Sequence, residues 1–264
     1  MDAHDLGASA LRIETEGPIA WCIIDRPQAR NAMTPAMYMG IKRAVRLINT
    51  DPQLRALIIT GTADVFSPGG DLGGRYEPGD ERVPAGLTHE SLPFISIRES
   101  TAPVIAAVNG ICQAGGLLMA MMADIAVVSE RATFRVPELL RGLVDSTYAA
   151  TLPAHVGLAT ARDLLLSART IDAREAQRIG LISRVVPHEQ LREAALQAAR
   201  EVLMTAPQAR THVKRMLNEQ YGAIDYQTMF WSLQHSEEPR EGMRAFMEKR
   251  VPAWIPQSRD LGPG

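Results

Sequence analysis

Two glycine-rich junctions are the segments of this chain best suited to chemistry. Phe66-Ser67-Pro68-Gly69-Gly70-Asp71-Leu72 follows an apolar run ending at Thr60, and Asn109-Gly110-Ile111-Cys112-Gln113-Ala114-Gly115-Gly116-Leu117-Leu118 follows one ending at Val108. Both read as strand, glycine turn and helix. Glycine lets a backbone come close to a ligand and turn its N–H groups outward, and a helix starting there adds the positive end of its dipole. Two such junctions aimed at one point would form an anion trap, in which a single donor to a developing oxyanion is worth roughly 3–4 kcal/mol of barrier. A lone Gly-Gly pair is more often an ordinary turn. Neither segment is a Walker loop or a dinucleotide fingerprint, so nucleotide phosphates are not the expected ligand. The six histidines are scattered with no His-Glu-x-x-His pairing, so no metal site is expected. No Gly-x-Ser-x-Gly elbow marks a serine hydrolase.

The elements that must position these junctions alternate between short strands and helices. Leu11 to Thr15 and Ile19 to Asp25 read as strands joined at Gly17-Pro18. Met37, Ile41, Ala44, Val45 and Ile48 recur at helical spacing after Thr34-Pro35, a cap followed by proline at the first helical position. Ala56 to Thr60, Val104 to Val108 and Ile125 to Ser129 are short apolar runs of strand type. This alternation predicts an α/β fold with layered sheets. Residues 73–86 are polar and aperiodic and read as a surface loop beside the first glycine motif, a candidate lid. The second half is helical, over Ala159–Ser167, Asp172–Arg178, Gln190–Met204 and Gln208–Gln220, with Asp172 and Glu175 spaced as a capping box. A break at Ala206-Pro207 separates residues 1–205 from a C-terminal helical region, 206–264, whose last residues look frayed.

The 264 residues are 46% hydrophobic and 22% charged, with a net charge of −2, so the chain can bury a large core and has no basic excess for nucleic acid or anionic membranes. The stretch from Val104 to Val128 is as long as a membrane span, but Asn109, Gln113, Gly115-Gly116 and Asp124 break it into strand, turn, helix and strand. The N-terminal residues carry no signal-peptide pattern. Cys22 and Cys112 each lie in an apolar run and read as free buried thiols of a cytoplasmic protein.

With these segments in view, the chain resembles the enoyl-CoA hydratase/isomerase, or crotonase, superfamily. The resemblance rests on Ile24-Asp25-Arg26-Pro27 with Arg30-Asn31-Ala32, on the two glycine segments, and on Phe134 to Glu138 with Gly142-Leu143, which match the family's acid-bearing strand. It continues through Glu175-Ala176, Gly180-Leu181 and Val185-Val186-Pro187 to Glu241-Gly242-Met243, Ala245-Phe246 and Pro252-Ala253-Trp254. It implies a crotonase-like spiral of ββα turns with a C-terminal helical trimerisation region, assembled as a homotrimer or hexamer. It implies an acyl-CoA thioester substrate, with coenzyme A part of the substrate and no separate cofactor. The amides of Gly70 and Gly115 would hold the thioester oxygen. Gln28, Ala29, Arg30 and Ala32, with Pro68, Asp71 and Leu72, would contact coenzyme A, as would Phe246 and Lys249. Lys249 also reads as a solvated helix-face charge.

The chain departs from the hydratase pattern at one position. Family hydratases carry two glutamates. Leu118 stands at the first, and only the second, Glu138, is present. One carboxylate against two oxyanion donors fits proton removal and return on one face, a 3-enoyl to 2-enoyl shift. Apolar neighbours Phe134, Val136, Leu139 and Leu140 argue that Glu138 is partly buried, with a raised pKa, rather than a surface acid. Asp145 has two readings. It is a good N-cap for the stretch that follows, and it falls where some thioester hydrolases and dehalogenases of the superfamily carry a functional aspartate. With Glu138 it would position a water for hydration or hydrolysis. Leu118 also leaves open a degenerate protein that binds coenzyme A without turnover.

Overall fold

A computed structural model describes residues 5–74, 76–83 and 92–255. The chain folds in the order β1 (Leu11–Glu16), β2 (Ile19–Ile24), α1 (Pro35–Thr50), β3 (Ala56–Gly61), β4 (Val65–Ser67), α2 (Phe94–Glu99), β5 (Val104–Val108), β6 (Ile111–Gln113), α3 (Gly115–Met122), β7 (Ile125–Ser129) and β8 (Thr133–Arg135). It continues with α4 (Ser146–Val156), α5 (Leu158–Ser167), β9 (Ile171–Asp172), α6 (Ala173–Arg178), β10 (Arg184–Val186), α7 (Leu191–Leu203), α8 (Pro207–Asn218), α9 (Tyr226–His235) and α10 (Glu238–Glu248). The strands form two sheets, one in the order β1-β2-β3-β5-β7-β10 and one in the order β4-β6-β8-β9. Each long strand, β3, β5 and β7, is followed at once by a short one in the other sheet, so the chain spirals. Within the large sheet β2, β3, β5, β7 and β10 run parallel, and only β1 is antiparallel to its neighbour.

The apolar runs are continuous because the large sheet is covered on both faces. Strand parity sorts them. Ala20, Cys22, Ile24, Leu57, Ile59, Val104, Ala106 and Val108 join a core with α1 and α3. Ile19, Trp21, Ile23, Ala56, Ile58, Ile105 and Ala107 join a second core against Leu191, Ala195, Leu196 and Ala199 of α7. Cys22 and Cys112 are free and fully buried. No described helix is long and apolar enough to cross a membrane.

Several expectations need adjustment. The first glycine segment does not lead into a helix: Gly70 makes an isolated parallel bridge with Met33 instead. The strand before Glu138 ends at Arg135, and Glu138 opens a 3-10 turn that runs to Arg141. Asp172 caps α6 through the Glu175 amide, but the Glu175 carboxylate turns to Arg169, so the box is half made. Residues 75 and 84–86 of the candidate lid, and 257–264 at the C-terminus, lie outside the described residues. Of the described part, 73–74 and 76–83, the second stretch is tied down, with Glu77 paired to Arg26, Asp80 accepting from Thr34, and Glu81 paired to Arg43.

The corner between β2 and α1 is held by polar groups. Asn31 is fully buried in the left-handed region, with φ of 58°. Its side chain accepts from the Arg26 amide at 2.9 Å and donates to the carbonyls of Thr62 at 3.1 Å and Val65 at 2.7 Å. Arg26 pairs with Asp71 at 2.8 Å and donates to the Ala32 carbonyl at 2.9 Å. Asn31→Ala leaves these buried groups unpaired and lowers stability by about 3–5 kcal/mol. A urea unfolding curve with a lower midpoint and an unchanged slope reads that loss.

Candidate active site

The two glycine loops touch. A Cβ added to Gly69, whose φ is +98°, would stand 2.5 Å from the Ala114 Cβ and 3.2 Å from the Gly115 nitrogen. On the first loop, Met33 donates to the Gly69 carbonyl and Asp71 donates to the Met33 carbonyl, both at 2.8 Å. That pattern turns the amide of Gly70 away from Met33. On the second loop Gly115 opens α3, and no side chain caps the helix, so its leading amides remain available to a ligand.

Ala114 has φ of 49° and ψ of −131°, a conformation that L-residues seldom adopt. Two bonds hold it there. Its amide donates to the Arg135 carbonyl at 3.3 Å, and its carbonyl accepts from the buried Tyr148 hydroxyl at 2.6 Å. Tyr148 in turn sits in the first turn of α4, whose amides at Thr147 and Tyr148 are capped by Asp145 at 2.9 and 3.2 Å. A continuous path of bonds thus runs from the Asp145 carboxylate to the peptide that presents the Gly115 amide.

Gly70 and Gly115 border a cavity of about 840 Å³. Its wall is mostly apolar, with Leu92, Phe94, Leu118, Leu143, Val144, Met229, Phe230, Leu233 and Met247, and it also bears Tyr38, Glu138, Arg141 and Asp145. Glu138 lies among buried atoms, and its Oε2 meets no hydrogen-bond partner among the described residues. Burial, helped by the nearby Asp145 charge, pushes its pKa up to about 8. Burial also raises the Asp145 pKa, against the pull of the amides it caps. At neutral pH most of the Glu138 population is therefore protonated, and a carboxylate formed there is a strong base. Asp145→Asn keeps the cap and removes the neighbouring charge. The pH midpoint of a Glu138-dependent rate then moves below 8, while thermal stability changes little.

Of the residues singled out from the sequence, Ala32, Pro68, Gly70, Asp71, Leu72, Gly115, Glu138, Asp145 and Phe246 meet at this one cavity. Asp145 caps α4, and it also lines the hollow. The Asp71 carboxylate is engaged by Arg26, and the Phe246 ring carries the Arg141 guanidinium at 4.6 Å. Gln28, Ala29 and Arg30 lie in and just after a 3-10 turn, and Lys249 caps the end of α10; none of the four lines the cavity. Sequence reasoning missed Tyr38, Phe94 and the apolar residues of α9. The signal for α9 was there, since Met229, Phe230 and Leu233 share one helical face behind the Asp225 cap.

Solved structures share this architecture. An enoyl-CoA hydratase/isomerase from Pseudoalteromonas atlantica superposes with a TM-score of 0.80 at 30% identity, covering 94% of this chain and 100% of that one. Residues 14–257 match the enoyl-CoA hydratase/isomerase family model, and the chain belongs to that family. Among its relatives are a probable enoyl-CoA hydratase of Rhizobium meliloti, 34% identical over 91% of this chain and 95% of that protein. A carnitinyl-CoA dehydratase of Salmonella typhi is 34% identical over 94% of this chain and 98% of its own length.

Proposed function

We propose that this family member moves a proton on an acyl-CoA thioester through an enolate, with Glu138 as the acid/base and the Gly70 and Gly115 amides on the thioester oxygen. The observation that carries this reading is the placement of a buried carboxyl and two uncapped glycine loops on one cavity, with Leu118 in its wall. In a 3-enoyl thioester the Glu138 carboxylate takes a proton from C2, and the electron pair moves onto the thioester oxygen. The resulting dienolate then takes the same proton back at C4, giving the 2-enoyl isomer. Leu118 offers no group to orient a water, which favours this shift over addition. Ala32, Pro68, Leu72 and Phe246 flank the thioester arm. Gln28, Ala29, Arg30 and Lys249, off the cavity, serve the nucleotide end. Exposed apolar side chains on α8 to α10, such as Met216, Leu217 and Trp231, support a homotrimer or hexamer.

A second reading is favoured by Asp145, which borders the same cavity, and by the relatives' names of hydratase and dehydratase. Glu138 and Asp145 would together hold a water that adds to C3 of a 2-enoyl thioester. Purified protein offered 3-enoyl-CoA, 2-enoyl-CoA and 3-hydroxyacyl-CoA separates these readings. Conversion of the first alone supports isomerisation, and interconversion of the other two supports hydration. Tight binding without turnover of any thioester would leave a coenzyme A-binding protein.

A further inference from the structure

We propose that the Tyr38 hydroxyl is a third hydrogen-bond donor to the thioester oxygen, completing the cradle formed by the Gly70 and Gly115 amides. The inference rests on the thioester reading above and adds a catalytic residue to it. Tyr38 sits in the first turn of α1, among the core residues Ala36, Met37 and Ile41, and its ring meets the edge of Phe94 at a centroid distance of 6.1 Å. From there the side chain reaches the meeting point of the two glycine loops. A Cβ added to Gly115 would overlap the Tyr38 hydroxyl, and one added to Gly70 would stand 3.7 Å from it. The hydroxyl is thus next to both residues whose amides serve the oxygen.

Hydrogen-bond accounting points the same way. A buried hydroxyl normally finds a partner. The other nearby phenol, the fully buried Tyr148, commits its hydroxyl to the Ala114 carbonyl at 2.6 Å. Tyr38 is 3% exposed and lines the cavity, and its hydroxyl bonds to no described residue. Its donor is left for whatever occupies the hollow. Burial and the charges of Glu138 and Asp145 raise the phenol pKa, so the proton stays on Tyr38 through the working range. The group donates to the oxygen and does not exchange a proton with it.

Tyr38→Phe removes the donor and keeps the ring. The probe is 4-dimethylaminocinnamoyl-CoA, an enoyl thioester whose absorption moves to longer wavelength as its carbonyl is polarised. The expected result is a smaller red shift on the Tyr38→Phe protein than on wild type, with affinity within about threefold. Exchange of the C2 protons of butyryl-CoA into deuterium oxide, followed by NMR, falls at least about tenfold. A full wild-type red shift on Tyr38→Phe, with unchanged exchange, overturns the proposal and leaves the thioester reading intact. A wild-type protein that binds the probe with no red shift overturns the thioester reading, and this proposal with it. A purely structural hydroxyl would lower the thermal midpoint and leave the red shift untouched. Should Tyr38→Phe fail to fold, Tyr38→Met fills similar volume without a donor and gives the same optical readout.

Discussion

Glu138→Gln lowers turnover by about 10³-fold on every thioester the enzyme converts, while acyl-CoA still binds. The amide keeps the size of the side chain and can neither take a proton nor return one. The same carboxyl sets the pH response. Its pKa stands at about 8 because burial disfavours the charged form and Asp145 adds a like charge. Proton abstraction needs the carboxylate, so the sign is fixed: kcat/KM rises about tenfold per pH unit below that value and levels above it. In Glu138→Gln the residual rate is flat across the same range. Initial rates between pH 6 and pH 9.5, with binding followed separately by calorimetry, read both effects. Fast hydration in Glu138→Gln, or a wild-type profile flat through pH 8, would falsify the assignment of Glu138.

The second large effect comes from Gly116→Ala. A Cβ at this position would overlap the Ser67 carbonyl oxygen and come within 3.0 Å of the Ser67 Cβ. Because the obstacle is backbone, it cannot swing aside. Either the first loop or the start of α3 must move, and the amides of Gly70 and Gly115 separate. Displacing one oxyanion donor costs about 10²–10³ in kcat, and forcing a methyl group into a packed contact costs about 1–3 kcal/mol of stability. KM changes little, since Gly116 does not itself line the cavity. The mutant's kcat, KM and thermal midpoint together test this; an unchanged kcat would show that the loops need not touch.

The large sheet was legible because its strands are apolar on both faces and punctuated by glycine or polar turns. Its edges matched the structure to within a residue or so, as at Val104–Val108 and Ile125–Ser129. The small sheet was not. Val65–Ser67, Ile111–Gln113 and Thr133–Arg135 are three residues each, too short for any periodicity. The Asp145 cap and both glycine loops were visible as local signals, because capping and close approach depend on residue type. Tyr38 was hidden for the opposite reason. It lies on the buried stripe of an amphipathic helix, and only the convergence of two distant loops reveals what its hydroxyl faces. The helix that closes the hollow, α9, was overlooked because its residues are half exposed and its pattern short.

The route from the Asp145 carboxylate through Tyr148 to the Ala114 carbonyl has an evolutionary consequence. One side chain anchors a helix, tunes the neighbouring acid and, through that helix, sets the angle at which a peptide N–H meets its guest. Divergence at position 145 to a residue that cannot cap therefore changes more than the neighbouring acid, whereas asparagine, which still caps, changes the charge alone. Any replacement that ends the capping also loosens the peptide that presents the Gly115 amide, so a descendant with new chemistry here would need a compensating change at the opening of the same helix.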